Sequence, residues 1–502
     1  MNELANLGIN LSDYQSSAPN TGGFGTANTT QEQLGELTKA LEAGQITGRD
    51  TEGLTNASGA SLKVESLDKT LKLITFRESE IALWKKVPKL PAFNTVEEFN
   101  QLTDYGADRG GFIVEGELPQ EEDSTYVRRS QLVKFLGVTK AVTHPMTLVN
   151  NMVGDVIAKE AKNGALWILR KLDRSIATAN SRLIPEEFNG LYAQHEENDA
   201  FLTKDAYFDS EVVVDLRGAA LTEANIEDAA EGIIENFGLG NELYAPPKVL
   251  SDFVKNFYGN KFITPNTSQT AAGIMGQRVN EFDSQFGRIG LNWDIFLNKK
   301  ARKTTSTGAT SPNAPATPIP DGGTPVAAVA TDTSSDWTAA DAGDYLYGVT
   351  AINRFGESAM AELSAVLTTI PAGGAIDLKW ASGVTPPAVS AYRVYRSRAD
   401  AVSGATTEFF PLFDISVAEL AAGYDGAAAL SVRDRDRIMP DTNQAFLIQN
   451  DEDVWAFRQL APLMKMDLAI ISTAYRFMVL LYGTLLLFAP KKVVRFINIG
   501  VA

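Results

Sequence analysis

Met152–Asn180 reads MVGDVIAKEAKNGALWILRKLDRSIATAN. Val153, Val156, Ile157, Ala161, Ala165, Ile168, Leu169, Leu172 and Ile176 fall three and four apart, the spacing of one helical face. Asn150 or Asn151 offers an N-cap, and Pro145 keeps the helix from beginning much earlier. Gly154 and Gly164 each weaken it by about 1 kcal/mol relative to Ala, so tertiary packing must carry it. At about 1.5 Å per residue it spans about 40 Å, longer than a small domain is wide. Alone, the stretch is an ordinary core helix. Its neighbours in sequence give it a more particular meaning.

Upstream, Val96–Leu102 alternates as a strand, and a long polar excursion follows. Gly110–Gly111 opens it, Phe112–Val114 begins a strand, and Glu115 to Asp123 forms a charged tip with Gly116 and Pro119. Thr125–Lys140 returns with Tyr126, Leu132, Val133, Phe135, Leu136 and Val138. A projecting hairpin needs something else to cover it. The acidic cluster Glu115, Glu117, Glu121, Glu122 and Asp123 lacks the spacing of a calcium loop. It reads as a solvated tip rather than a metal site.

The 502 residues allow two or three domains with ample core. No cysteine is present, which excludes disulfides and thiolate chemistry. The two histidines, His144 and His195, leave little room for a histidine-based triad or metal centre. A net charge of −17 opposes general nucleic-acid binding, while leaving room for a local basic patch. The beginning of the chain lacks the pattern of a signal peptide. Phe477–Pro490 is too short to span a bilayer, and Gly483–Thr484 interrupts it, so it reads as two buried strand segments and no membrane association is expected. No nucleophile elbow, phosphate-binding loop or metal-ligand spacing occurs; no catalytic residue, metal or cofactor is expected, and the chain does not read as an enzyme. Gly238-Leu-Gly240 ends a helix instead of starting one.

Residues 1–60, rich in Gly, Ser, Thr, Asn and Gln, read as an arm. Ser66–Trp84 is a short amphipathic segment. After the long helix, Glu211–Leu216 is a strand, and Leu221–Gly238 is a helix capped by Thr222 and closed by Gly238. Val249–Tyr258 is a further helix, and Ile289–Leu297 supplies strands. Composition changes at Lys299, and 301–325 is a Thr/Ser/Pro/Ala/Gly linker. From 326 to 439 short strands and turns alternate, as in a small β-sandwich. Mixed structure resumes over 440–502: Gln444–Gln449 is a strand, Asp451–Leu460 a short helix or turn, and Leu468–Leu481, Thr484–Phe488 and Val493–Ile499 are strands. The sandwich is therefore an insertion. Arg433–Arg437, reading RDRDR, looks like a solvated, self-neutralising strand end.

The parts flanking the insertion resemble the major capsid proteins of tailed double-stranded DNA phages, of the Hong Kong 97-type fold. Val114–Val149 resembles the extended loop and Met152–Asn180 the spine helix. Leu221–Tyr258 resembles the axial-domain helix and its continuation, and Gly287–Leu297 with Leu480–Ile499 resemble peripheral-domain strands. The inserted segment resembles immunoglobulin-like or fibronectin type III-like modules, through Tyr345–Ser358 and Tyr392–Arg396, with the order of these two strands reversed.

The resemblance implies an α+β chain with an N-terminal arm over 1–60 and a first capsid part over 61–300. Within the latter, the extended loop takes about 103–145, the spine helix 152–180 and the axial domain about 190–285. It implies hexamers and pentamers of this chain in an icosahedral head shell around DNA packaged without sequence specificity. Such a shell is assembled in the host cytoplasm with portal, scaffold and decoration proteins. The inserted domain is expected on the outer surface. The expected inter-subunit contacts are Glu115, Glu117, Glu121, Glu122, Asp123, Arg128 and Arg129. Family cross-linking chemistry is not carried over, because Lys134 and Lys140 have no matching partner motif. Two alternatives remain open: an encapsulin-like compartment, and a glycan- or host-surface-binding protein in which Trp337, Trp380 and Tyr424 stack on sugars. In a sandwich such aromatics are more often core.

Overall fold

The computed structural model describes residues 80–500 except 107–111, 119–120, 149–154, 198–211, 261–278, 298–310, 323–324, 342, 364–367, 371, 382–387, 402–403, 405–406 and 470–472. The arm over 1–60 and most of Ser66–Trp84 lie outside the described residues. The described chain is α+β.

Its long helix, α3, runs Val156–Thr178. The preceding helices are α1 (Leu83–Lys86) and α2 (His144–Leu148). The cap is Asp155, whose carboxylate accepts from the backbone N–H of Ile157 at 2.9 Å and of Ala158 at 3.4 Å; Asn150 and Asn151 lie outside the described residues. Ile168, Leu172 and Ile176 are fully buried. They pack on a four-stranded sheet ordered β1 (Lys89–Pro91), β22 (Trp455–Asp467), β23 (Ala474–Leu487) and β4 (Lys134–Thr143). Gly164 has a packing reason: a Cβ there would sit 3.1 Å from Val479 Cγ2 and 3.5 Å from Val138 Cγ1, so the missing side chain lets the helix approach the sheet.

β23 corrects the sequence reading. It is one continuous 14-residue strand through Gly483, not two segments. The backbone carbonyl of Arg458 on β22 would lie 2.6 Å from a Cβ at 483. The glycine admits a close cross-strand neighbour there and does not end the strand. Likewise Trp455–Leu460, expected as helix or turn, begins β22, because Trp455–Gln459 pair in antiparallel register with Leu487–Gly483.

The second sheet is ordered β5 (Val213–Asp215), β24 (Val493–Ile499), β21 (Asn443–Ile448), β6 (Glu242–Ala245), β8 (Gly287–Trp293) and β7 (Glu281–Ser284). Both its faces are buried. Tyr244, Phe446, Ile448 and Val493 join the core under α3, where α4 (Leu191–Glu197) also packs. The alternate residues Leu243, Ala245, Leu447, Val494 and Phe496 face a second core with α5 (Glu223–Glu235) and α6 (Pro247–Asn260). The period of two in side-chain direction thus ties the two cores together through one sheet. Thr222 caps α5 in a reciprocal capping box with Asn225. The C-terminus differs from expectation. Phe237, not Gly238, takes the left-handed position at φ 59°. Phe237 N–H donates to Ile234 O at 2.8 Å and Gly238 N–H to Ile233 O at 2.9 Å, a Schellman closure.

Between β8 and β21 in the chain, β10 (Val326–Val329), β16 (Ala375–Leu378) and β20 (Val432–Asp434) form one sheet. β12 (Tyr347–Asn353), β18 (Ala391–Ser397) and β19 (Phe409–Ser416) form the centre of another, with β13 (Gly356–Glu357) and β14 (Ala361–Glu362) on β12. Two short ladders pair β11 (Gly343–Tyr345) with β15 (Thr368–Ile370) and β17 (Trp380–Ala381) with β9 (Ile319–Pro320). Val349, Ile376, Leu378, Tyr392, Val394, Leu412 and Val432 meet in a core of their own. The segment is not free of helix: α7 (Val417–Ala422) is capped by Ser416 and Glu419. The last strand of the segment is Val432–Asp434.

Candidate functional site

The projecting hairpin pairs β2 (Val96–Asp104) with β3 (Thr125–Leu132) from Val96↔Leu132 to Asp104↔Thr125. The incoming strand therefore precedes Gly110, and 112–118 is loop and turn instead of the expected strand. The expected single return over Thr125–Lys140 is two strands. Val133, 4 % exposed, anchors the break, so β3 belongs to the hairpin and β4 to the sheet under α3.

Side chains on both strands of the hairpin reach the body. Gln101 Nε2 donates to Phe488 O at 2.7 Å, Phe99 meets Phe488 edge-on at 5.0 Å, and Asn189 Nδ2 donates to Gln131 Oε1 at 3.1 Å. Beyond them the loop is open to solvent. Phe112 is 102 % exposed and Leu118 94 %, and Ile113 and Val114 are exposed between them. Glu115, Glu117, Glu121, Glu122 and Asp123 are exposed as well. Arg128 reaches Glu98 of its own hairpin at 3.4 Å, and its Nε donates to Asn100 Oδ1 at 3.4 Å. The tip combines five carboxylates with four uncovered apolar side chains, a surface built to be covered.

Trp337 and Trp380, expected as exposed in the sugar-binding alternative, are 3 % and 5 % exposed. Both belong to the core of the inserted segment. Trp337 lies under the Arg396 guanidinium at 4.6 Å, and Trp380 packs against Tyr392 at 5.5 Å. Tyr424 is half-buried and stacks on Phe413 at 5.4 Å. Burial takes both tryptophan faces away from any ligand.

Arg433–Arg437 is also unlike its reading. Asp434 and Asp436 are buried and grip Arg396, at 2.8 and 2.5 Å. Asp434 also accepts the Tyr347 hydroxyl at 2.7 Å. Arg433 forks onto Asp377 at 2.7 and 2.9 Å, and Arg435 reaches Asp332 and Asp425. The charges pair with neighbours from other parts of the chain instead of with one another: the two aspartates share Arg396, and the arginines reach Asp332, Asp377 and Asp425. Arg217, in the turn after β5, completes the chain of charges from the body. It donates to Asp336 O at 2.6 Å, Asp436 O at 2.8 Å and the carboxylates of Asp341 and Asp436 at 2.9 Å. Arg182–Glu419 at 3.0 Å and Arg354–Glu186 at 3.5 Å bridge the same two parts.

Under α3 lies a second group that the sequence reading missed. Asp173 and Asp294 are both fully buried. Asp173 Oδ1 accepts the Trp84 N–H at 2.7 Å, and Asp294 Oδ1 accepts the Phe296 N–H at 2.8 Å. The two carboxyls interact electrostatically, and the second oxygen of each is buried without a hydrogen-bond partner. Burial and the Asp294 charge push Asp173 up to about 8, and burial pushes Asp294 up to about 6. His195 is a core residue: its Nε2 lies 3.0 Å from Val493 O, and burial pushes it down to about 4. Among the described residues no three or more His, Cys, Asp or Glu side chains are gathered for a metal ion. None of their helices is long and apolar enough to cross a membrane.

A long helix on a sheet, a second sheet with a core on each face and a projecting hairpin make up the described body. The family model of the SU10 major capsid protein matches residues 55–305, half of the chain, and the protein belongs to that family. It is a phage major capsid protein with a Hong Kong 97-type fold, a self-associating wall subunit of the head shell. The major capsid protein of Staphylococcus phage K is 25 % identical over 92 % of this chain and 95 % of its own. The putative major capsid protein of Enterococcus phage phiEF24C is 24 % identical over 94 % and 97 %. Among solved structures, the capsid of a native GTA particle has a TM-score of 0.44 at 8 % identity, covering 90 % of this chain and all of that one.

Proposed function

We propose that the chain closes into hexamers and pentamers that enclose packaged DNA, with the hairpin lying on an adjacent subunit. The role is structural and not enzymatic. The observation that carries it is the tip, where four apolar side chains and five carboxylates stand uncovered on one projecting element. Rings of six and five are heterologous interfaces closed by rotation; a protruding element on one subunit and a receiving surface on the next are what such an interface needs. In this reading 1–60 is an arm, 61–300 and 440–502 together form the capsid fold, 301–325 is a linker, and 326–439 is an immunoglobulin-like module displayed outward. Glu115, Glu117, Glu121, Glu122, Asp123, Arg128 and Arg129 lie at the subunit contact. Assembly takes place in the host cytoplasm, with portal, scaffold or decoration proteins as further partners. The buried tryptophans give no support to sugar stacking. Expression of the full chain alone, viewed by negative-stain microscopy with light scattering, is expected to give rings or closed shells. A monomer at all concentrations, with and without a co-expressed scaffold, would defeat the reading.

A further inference from the structure

Three oxygens in the core under α3 are buried without a hydrogen-bond partner: Asp173 Oδ2, Asp294 Oδ2 and the Tyr244 hydroxyl. All three residues are 0 % exposed. They come from distant parts of the chain: Asp173 from α3, Tyr244 from β6, and Asp294 from the residue after β8. Main-chain N–H groups hold the other oxygen of each carboxylate, that of Trp84 on Asp173 and that of Phe296 on Asp294. The Asp294 N–H in turn donates to Ala245 O at 3.0 Å, on the strand that carries Tyr244. The three side chains act on one another. Burial, then the charges of Glu242, Asp173 and Asp294, push the Tyr244 phenol well up, and after burial the Asp294 charge is the largest influence raising Asp173. Glu242 itself is engaged by Lys86 at 2.7 Å and by Asn292. Neither carboxylate forms an ion pair with a basic side chain among the described residues.

We infer that Asp173, Asp294 and Tyr244 form the side-chain part of a site for one hard divalent cation, with calcium the best fit. The surroundings demand neutralisation: Leu83, Leu172 and Leu297, each beside or near one of these groups in sequence, belong to one apolar core, where an uncompensated charge is costly. Two carboxylates balance a doubly charged ion, and the phenol turns the pair into a three-point site. The donors are all oxygens, with neither nitrogen nor sulfur among them, which favours a hard cation over zinc or copper. Magnesium gives up its water reluctantly and suits such a buried place less than calcium does. Calcium takes about six to eight oxygens, so main-chain carbonyls or water supply the rest of its shell. The ion would clamp α3 to β6 and to the end of β8, and through Trp84 to α1. In its absence a proton neutralises the pair, because two like charges so close in a buried place cannot both stand. The inference concerns the core of one protomer and does not depend on how the chain assembles.

The test uses the full-length chain, stripped with a chelator and then titrated with terbium(III) or calcium chloride. Terbium takes calcium sites, and its emission is sensitised by nearby tyrosine and tryptophan, here Tyr244 and Trp84. Sensitised emission is expected to saturate at one terbium per chain and to be reversed by excess calcium. Calcium alone is expected to raise the melting temperature. Asp173→Asn and Tyr244→Phe keep the shape of their side chains; each is expected to weaken terbium binding at least tenfold and to abolish the calcium shift while melting stays cooperative. A wild type with neither sensitised emission nor a calcium shift would overturn the inference, whatever the variants do. So would a calcium shift that survives in both variants, because the ion would then sit on exposed carboxylates such as those of the hairpin tip. If Asp173→Asn does not fold, Tyr244→Phe decides: it removes one hydroxyl and leaves the ring in the core, so unchanged terbium affinity in it defeats the site.

Discussion

Asp173 and Asp294 hold a proton that the unfolded chain does not. Both lie above the ordinary carboxylate value, about 8 and about 6. The folded state therefore binds more protons than the unfolded state from about pH 4 upward. Their contribution is fully present below that pH and is lost as pH rises toward 8. His195 acts in the other direction. Held down to about 4, it contributes fully above about 6.5 and loses its contribution as pH falls. Between about pH 6.5 and 8 only the carboxyl pair sets a slope among these three, at most about 1.4 kcal/mol per pH unit for one proton. Asp173→Asn keeps the shape of the side chain and removes its titration. Urea midpoints of the wild type are expected to fall across that window while those of the variant stay level; parallel profiles would refute the raised Asp173 value. Helical periodicity did not reveal the pair, because it places Asp173 beside Leu172 without saying what lies opposite, and Asp294 is 121 positions away.

Among the elements, α5 shows how a local signal can be read one residue out. A glycine near a helix end points to a left-handed closure, and Gly238 is there, but the closure falls on Phe237 at φ 59°, with its ring 83 % exposed. A side chain in that conformation costs roughly 1 kcal/mol relative to glycine. Phe237→Gly is therefore expected to raise stability by about that much in denaturant unfolding. An unchanged or lower stability would mean that the ring makes contacts in the protomer that offset the strain. β23 and α3 carry the complementary lesson. Gly483 and Gly164 look like weak points in sequence, yet each marks a close approach, of β22 to β23 and of α3 to its sheet. Neither glycine can be interpreted without the neighbour that occupies its missing side chain's space.

For the whole molecule, the question is how the segment over 326–439 stays fixed to the two sheets under α3. Arg217 answers it with four hydrogen bonds into the segment, to Asp336, Asp341 and twice to Asp436. Its side chain is 28 % exposed, so solvent weakens the ion pairs, but Asp436 is fully buried and keeps its bond strong. Arg217→Ala is expected to cost about 2 kcal/mol and to separate one calorimetric transition into two, the inserted segment melting first. A single transition at the wild-type temperature would show that Arg182–Glu419 and Arg354–Glu186 suffice without it. Because the hydrophobic core of the segment is its own, its fold is expected to survive this loss of docking.

The sequence by itself determined which stretches bury a face. The long helix, the capped helix after Thr222, the many short strands between Val326 and Met439 and the last strand are all visible as periodicity, capping residues and turn residues, which act within a few residues of one another. It also determined that the hairpin tip is too polar to cover itself. Tertiary structure decided what depends on partners far away in the chain: that the hairpin's first strand is Val96–Asp104, that Gly483 continues a strand, that Trp337 and Trp380 are core, and that Asp434 and Asp436 are buried on Arg396. The physical reason is common to all of these. Burial and charge pairing belong to the space between residues distant in sequence, and a one-dimensional pattern records only each residue's own side of that space.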